Sequence, residues 1–234
     1  MRTLRQSARR LQSGQRPLEL VLIVVTFVTG MVDAVTYLGF GHVFAANMTG
    51  NVIVLGFALA GAGDISATGS VVSLGGFIAG AAVSARVAGA LHPGRHRWLL
   101  TMLGLETSLL IAATALSVKE RAFSSDMLIV GLLAVAMGMR TVTVRRLGIS
   151  DVSTTVLTST LASLASDTLF RGAPFRAGGV RLVIVAAMMF GAAAGAVLLG
   201  GGVAEVLGLA AGLVLMLSIG YFVALWRGLT TLQT

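Results

Sequence analysis

Small polar residues stand at two places in this chain where the surrounding sequence is almost wholly apolar. Asn47, Thr49, Gly50 and Asn51 crowd the start of one hydrophobic segment. Thr155, Thr158, Ser159 and Thr160 crowd the start of another. Amides and hydroxyls beside a helix start, with its unpaired backbone N–H groups and positive dipole end, suit the binding of a small polar or anionic solute. Gly50 would allow close approach of a ligand or a second helix. The plainer reading is a helix cap beside a small-residue seam. Caps seldom need so many polar groups inside apolar sequence, so both sets stand as substrate-binding candidates.

Three charged residues lie deep in apolar segments. Asp33 falls about 22 Å along its segment at helical rise. A carboxylate there faces a cavity, a partner or a proton path, which makes Asp33 a candidate for a coupling proton or cation. The alternative is a structural hydrogen bond to the polar stretch that follows. Glu106 and Arg140 fall at similar depths in their own segments and read as an ion pair, structural or substrate-binding. Arg140 reaching instead towards Arg145 and Arg146 at the surface is the competing reading. His42, His92 and His96 carry little chemistry: His92 and His96 flank Pro93 and Gly94, so helical metal-ligand geometry is not expected. No metal site and no cofactor is predicted.

The elements that must position these residues are set by composition. The chain has 234 residues, of which 56% are hydrophobic and 11% charged. Apolar runs fall at 18–38, 44–61, 68–91, 98–117, 127–144, 152–168, 179–200 and 203–226. Most match the roughly 20 residues needed to cross a bilayer as a helix. Thirty glycines suit helices packed closely in lipid. Such small-residue faces also allow a homo-oligomer, and Gly191 and Gly195 form one G-x-x-x-G. With no cysteine, disulfides and thiolate chemistry are excluded. Arginines outnumber the sole lysine, Lys119, which with abundant Ala, Gly and Val points to a bacterium with a GC-rich genome.

The net charge of +8 reads as loop charge that orients the spans rather than a nucleic-acid surface. Residues 1–17 form a basic cytoplasmic tail carrying Arg2, Arg5, Arg9, Arg10 and Arg16. The tail is suited to orienting the first span, with contact to lipid headgroups a secondary role. A cleaved signal peptide is not expected, because the apolar stretch after Pro17 is too long.

A faint repeat organises the rest. Val35, Leu38, Gly39, Val43, Thr49 and Leu55 recur as Val144, Leu147, Gly148, Val152, Thr158 and Leu164. Gly80-Ala81-Ala82 likewise recurs as Gly191-Ala192-Ala193. If all eight segments crossed, the loops with Arg95 and Arg97 and with Arg145 and Arg146 would face outward. If the two polar segments instead enter and leave on one side, those loops and Arg171, Arg176 and Arg227 all fall inside. The second arrangement obeys the positive-inside rule. It predicts an all-α membrane protein of six transmembrane helices plus two re-entrant half-helices, built as an inverted repeat. Repeat one covers 18–117 and repeat two 126–227. Both termini are expected in the cytoplasm of a bacterium, with the spans in the plasma (inner) membrane.

The run Gly30-Met31-Val32-Asp33-Ala34, followed by 43–51 (Val-Phe-Ala-Ala-Asn-Met-Thr-Gly-Asn), resembles the YoaK-like family of small bacterial multi-pass membrane proteins of unknown function. Residues 138–146, with Thr154-Thr155-Val156-Leu157-Thr158, are similar to the same family. Arg140 and Ser159 stand where that family commonly has Gln and Gly. The resemblance implies no activity. A looser likeness of arrangement, an extended stretch leading into a half-helix once per repeat, is similar to nucleobase and sulfate/bicarbonate transporter cores and transfers no substrate.

Duplicated halves, each with a polar interruption, are the usual pointer to a transporter site near the midplane. The sequence therefore predicts a secondary transporter or permease for a small polar or anionic solute, its partners being lipid and that solute. The alternatives are a passive channel and a non-transporting scaffold or partner subunit. No hydrolase, metalloprotease or phosphate-binding signature is found, so no enzyme is expected.

Overall fold

The computed structural model describes residues 2–62, 67–91, 94–118, 122–146 and 175–227. The second polar segment lies outside them, and with it Thr155, Thr158, Ser159 and Thr160. The described residues are all-helical: α1 (Arg2–Gly39), α2 (Met48–Leu59), α3 (Ala67–Leu91), α4 (Arg95–Ser117), α5 (Phe123–Arg146), α6 (Phe175–Leu198) and α7 (Val203–Trp226). A 3-10 turn, Leu199–Gly201, joins α6 to α7. Six of these helices are long and apolar enough to cross a membrane. A helix of 24 residues such as α5 reaches about 36 Å, against a hydrocarbon core of roughly 30 Å. α2 has 12 residues, about 18 Å, and is too short. α1 begins in the basic tail, and its span covers Glu19–Gly39.

Side-chain contacts fix the direction of each span. α1 and α5 are antiparallel, because Val21 and Leu22 share a cavity with Thr143 and Val144 while Arg140 reaches Val25 and Thr29. α4 and α5 are antiparallel too, with Trp98 under Arg146 and Glu106 beside Arg140. α4 and α7 pair His96 with Tyr221 and Thr114 with Gly208, again antiparallel. By contrast α3 and α5 climb together: Gly76 faces Gly131, and Gly80 faces Val135. α1 and α6 do the same, with Phe27 against Gly191 and Met31 against Gly195. So α1, α4 and α6 run one way, and α3, α5 and α7 the other. The face where α1 starts its span is called here the lower face.

The centre is a block of α1, α4, α5 and α7. Val28, Val32, Val35, Leu110, Ile129, Leu133, Leu207 and Val214 are wholly buried in it. α6 packs on α1 and α3 on α5, leaving Val71, Ile78, Met189 and Phe190 exposed on the outer faces. Lipid tails are as apolar as these side chains, so the flanking helices are held by close contact rather than by hydrophobic expulsion. Glycine makes that contact. A Cβ at Gly191 would collide with the Phe27 carbonyl, and one at Gly80 with the Val135 carbonyl.

Candidate functional site

The upper half of the site is built where the chain leaves α1. Gly41 and His42 both take positive φ (79° and 63°) and reverse the chain. It then descends beside the last turns of α1. Asp33, six residues before the end of α1 and so about 9 Å below it, receives it. Asp33 Oδ1 accepts the backbone N–H groups of Ala45 (3.0 Å) and Ala46 (2.8 Å). Non-helical backbone at membrane depth must find such partners, since lipid offers none.

Asn51 secures the next residue back. The Phe44 N–H donates to Asn51 Oδ1 (2.9 Å), and Asn51 Nδ2 donates to the Phe44 carbonyl (2.6 Å) and to Ser73 Oγ on α3 (3.0 Å). Ser73 Oγ itself donates to the same carbonyl at 2.6 Å. Asn51 and Ser73 are wholly buried. Asn47 is the N-cap of α2, its Oδ1 accepting the Gly50 N–H at 3.2 Å. The Phe44 ring lies over Gly50, where a Cβ would stand 2.8 Å from it. Tyr37 stacks on Phe44 with ring centroids 4.7 Å apart and meets the His42 ring edge-on. Thr49 is exposed. The α2 start is thus tied down by Asp33, Asn47 and Asn51, while Thr49 stays exposed.

The lower half lies one turn and more down α1. Arg140 is paired with Glu106. Its Nη1 also donates to the Val25 carbonyl (2.5 Å) and to Thr29 Oγ1 (2.6 Å). Thr29 in turn donates to the Val25 carbonyl at 2.8 Å. One guanidinium therefore ties α1, α4 and α5 together. It is buried and does not reach for the surface. Arg140 Nε is buried without a partner. Beside it is a cavity of about 20 Å³, lined among others by Glu106, Arg140 and Thr143, which is room for one water.

Asp33 and Thr29 are four residues apart on one face of α1, so the two halves form one buried polar column. Sequence spacing could have placed Thr29 beside Asp33, but nothing in the sequence marked Ser73. Further down, His96 Nδ1 lies 2.9 Å from Tyr221 Oη and joins α4 to α7. Among the described residues, no group of three or more acidic or histidine side chains could hold a metal.

Six membrane-length helices around a buried charged column define a multi-pass helical membrane protein. The chain belongs to the family described as protein of unknown function (DUF1275), which matches residues 21–220. It is similar to the UPF0700 transmembrane protein YoaK of Bacillus subtilis (strain 168), with 36% identity over 148 residues. That stretch covers 63% of this chain and 65% of the relative, so the match spans a little under two thirds of either. The six spans and the bacterial relative make this a bacterial membrane protein. No solved structure matches it.

Proposed function

We propose that this protein is a secondary transporter for a small polar or anionic solute, with its site at the start of α2 and at a counterpart in 147–174. The observation that carries this reading is the direction of the helices. α1 ends and α3 begins at the same face, which supports a chain between them, α2 included, that enters and leaves on one side. α5 ends and α6 begins at the opposite face, as two opposed halves require.

The helix pairs support an inverted repeat. Exchange α1 with α5, α3 with α6 and α4 with α7, and every main pairing maps onto another: α1–α6 onto α5–α3, α4–α5 onto α7–α1, and α4–α7 onto itself. Two re-entrant half-helices, one from each face, would bring Asn47, Thr49, Gly50 and Asn51 towards Thr155, Thr158, Ser159 and Thr160 near the midplane. In this reading Thr49 contacts the solute, Asn47 and Asn51 position the half-helix, and Asp33 is the coupling group.

The test is uptake of a panel of radiolabelled small anions and polar metabolites by cells overproducing the protein. Uptake of one solute that is abolished by Thr49→Ala, with the protein still in the membrane at its normal level, supports the proposal. Flux indifferent to proton and sodium gradients would make the protein a channel. One observation favours a scaffold as the second reading: the polar groups of Asp33, Asn47 and Asn51 already satisfy the protein's own backbone. A scaffold would show no solute uptake by the wild type.

A further inference from the structure

Asp33, Glu106 and Arg140 are the charged side chains that lie buried among the described residues, at 6%, 2% and 7% exposure. Fully ionised, they sum to one negative charge inside the hydrocarbon. Arg140 keeps its charge under all ordinary conditions. An unpaired carboxylate in such a place is expensive and takes up a proton or a cation instead.

We propose that the two carboxylates share one exchangeable proton, and that Arg140 decides which of them carries it. The carboxylate holding the guanidinium stays ionised; the other is protonated. This deepens the transporter reading by naming the coupling ion, and it rests on that reading only for what the proton drives.

In the present structure Arg140 is on Glu106, so the proton belongs to Asp33. The geometry suits that state. Asp33 Oδ1 alone accepts both N–H groups, as a carbonyl oxygen does, which leaves Oδ2 for the proton. The exchange conserves charge and breaks no bond between heavy atoms. A proton arrives through the water-sized cavity beside Glu106 and adds to its carboxylate, and the Arg140–Glu106 bond is lost. The guanidinium moves up α1 from Thr29 towards Asp33, about one turn away. The Asp33 O–H then releases its proton towards the upper side. The unpartnered Arg140 Nε is the donor that would hold the cavity water in line.

Among the described residues, the surroundings leave these three groups to themselves. Above Asp33 stand Tyr37 and His42, whose rings meet edge-on. Thr36, Thr107 and Thr143 each donate to carbonyls of their own helices. α6 and α7 contribute no buried charged side chain among the described residues. A proton is favoured over sodium because the guanidinium engages Glu106 and two N–H groups occupy Asp33 Oδ1, leaving few oxygens to coordinate a metal.

The test is infrared spectroscopy of the full-length protein, reconstituted in phosphatidylcholine–phosphatidylglycerol vesicles near neutral pH, in light and heavy water. The wild type should show one protonated-carboxyl carbonyl band that shifts in heavy water. Asp33→Asn and Glu106→Gln should each abolish it, because each leaves one carboxylate for one guanidinium. The double variant Glu106→Gln/Arg140→Gln removes the buried pair as a unit and should keep the band, now on Asp33 alone. Absence of the band in the wild type, its survival in either single variant, its loss in the double variant, or its displacement by sodium chloride would each overturn the proposal. The measurement needs no solute, so its outcome is independent of whether uptake is ever found.

Discussion

At the scale of single residues, the site separates side chains that build from side chains left free to bind. Asn51 builds. Its amide answers both backbone groups of Phe44 and touches Ser73, so Asn51→Ala leaves the Phe44 N–H without its partner, while the Phe44 carbonyl keeps Ser73. Such an orphan costs about 1–3 kcal/mol, and a clear fall in thermal stability in detergent is the expected result. Asn47→Ala removes a single cap bond and should cost about 1 kcal/mol. Thr49→Ala changes an exposed residue and should leave the melting temperature unchanged. The ion pair gives a second contrast. Arg140→Met strands Glu106 in an apolar interior and is expected to lose about 3–5 kcal/mol, whereas Glu106→Gln/Arg140→Met should lose less. Melting curves of the two variants side by side decide it, and equal losses would show that the pairing is not what Arg140 contributes.

At the scale of elements, the tightest constraints fall on the crossings of α1 with α6 and α3 with α5. Gly30 faces the Met188 carbonyl and Gly191 the Phe27 carbonyl. In the other crossing Gly138 faces the Phe77 carbonyl and Gly80 that of Val135. Each crossing thus has a glycine on both partners, and the obstacle is backbone, which cannot rotate away as a side chain would. Gly80→Ala and Gly191→Ala should each destabilise by about 1–3 kcal/mol. Gly75→Ala, on α3 with nothing nearby, should be neutral or slightly stabilising, since alanine favours helix. Size-exclusion profiles and melting in detergent would separate the three.

These elements differ in how far the sequence disclosed them. Apolar runs of membrane length mark α1 and α3 to α7 because the bilayer imposes that length. The segment at 44–61 stands out as too polar at its start and becomes the 12-residue α2. That Asp33 hydrogen-bonds the stretch after it was one of its two readings, but the atoms it binds were not legible, because they are backbone N–H groups 12 and 13 positions away, and backbone leaves no mark in residue type. Ser73 was hidden likewise among the small residues of α3. The side chains of the second polar segment lie outside the described residues, so its half of the site stands on sequence alone.

At the scale of the whole molecule, the helix directions sort the charges between two faces. Arg95 and Arg97 at the start of α4, Arg145 and Arg146 at the end of α5, and Arg227 after α7 all gather at the lower face, where α1 emerges from its basic tail. Asp126 and Glu205, in the first turns of α5 and α7, belong to the upper face. Basic residues near span ends are retained in the cytoplasm, so the lower face should be cytoplasmic. The chain has no cysteine, which makes the arrangement open to single substitutions. Asp64→Cys, between α2 and α3, should react with a membrane-impermeant maleimide added to intact cells. Phe175→Cys, at the start of α6, should react only after the membrane is permeabilised. The pair is more informative than either alone. Labelling of both positions from the same side would require 147–174 to cross the membrane, since three spans separate it from Asp64, and the two halves could not then be inverted copies. Asp64→Cys protected and Phe175→Cys exposed would either turn the whole molecule over, against its own charge, or require the first polar segment to cross while the second returns. A cysteine in the basic tail separates the two, being labelled on intact cells only if the molecule is turned over.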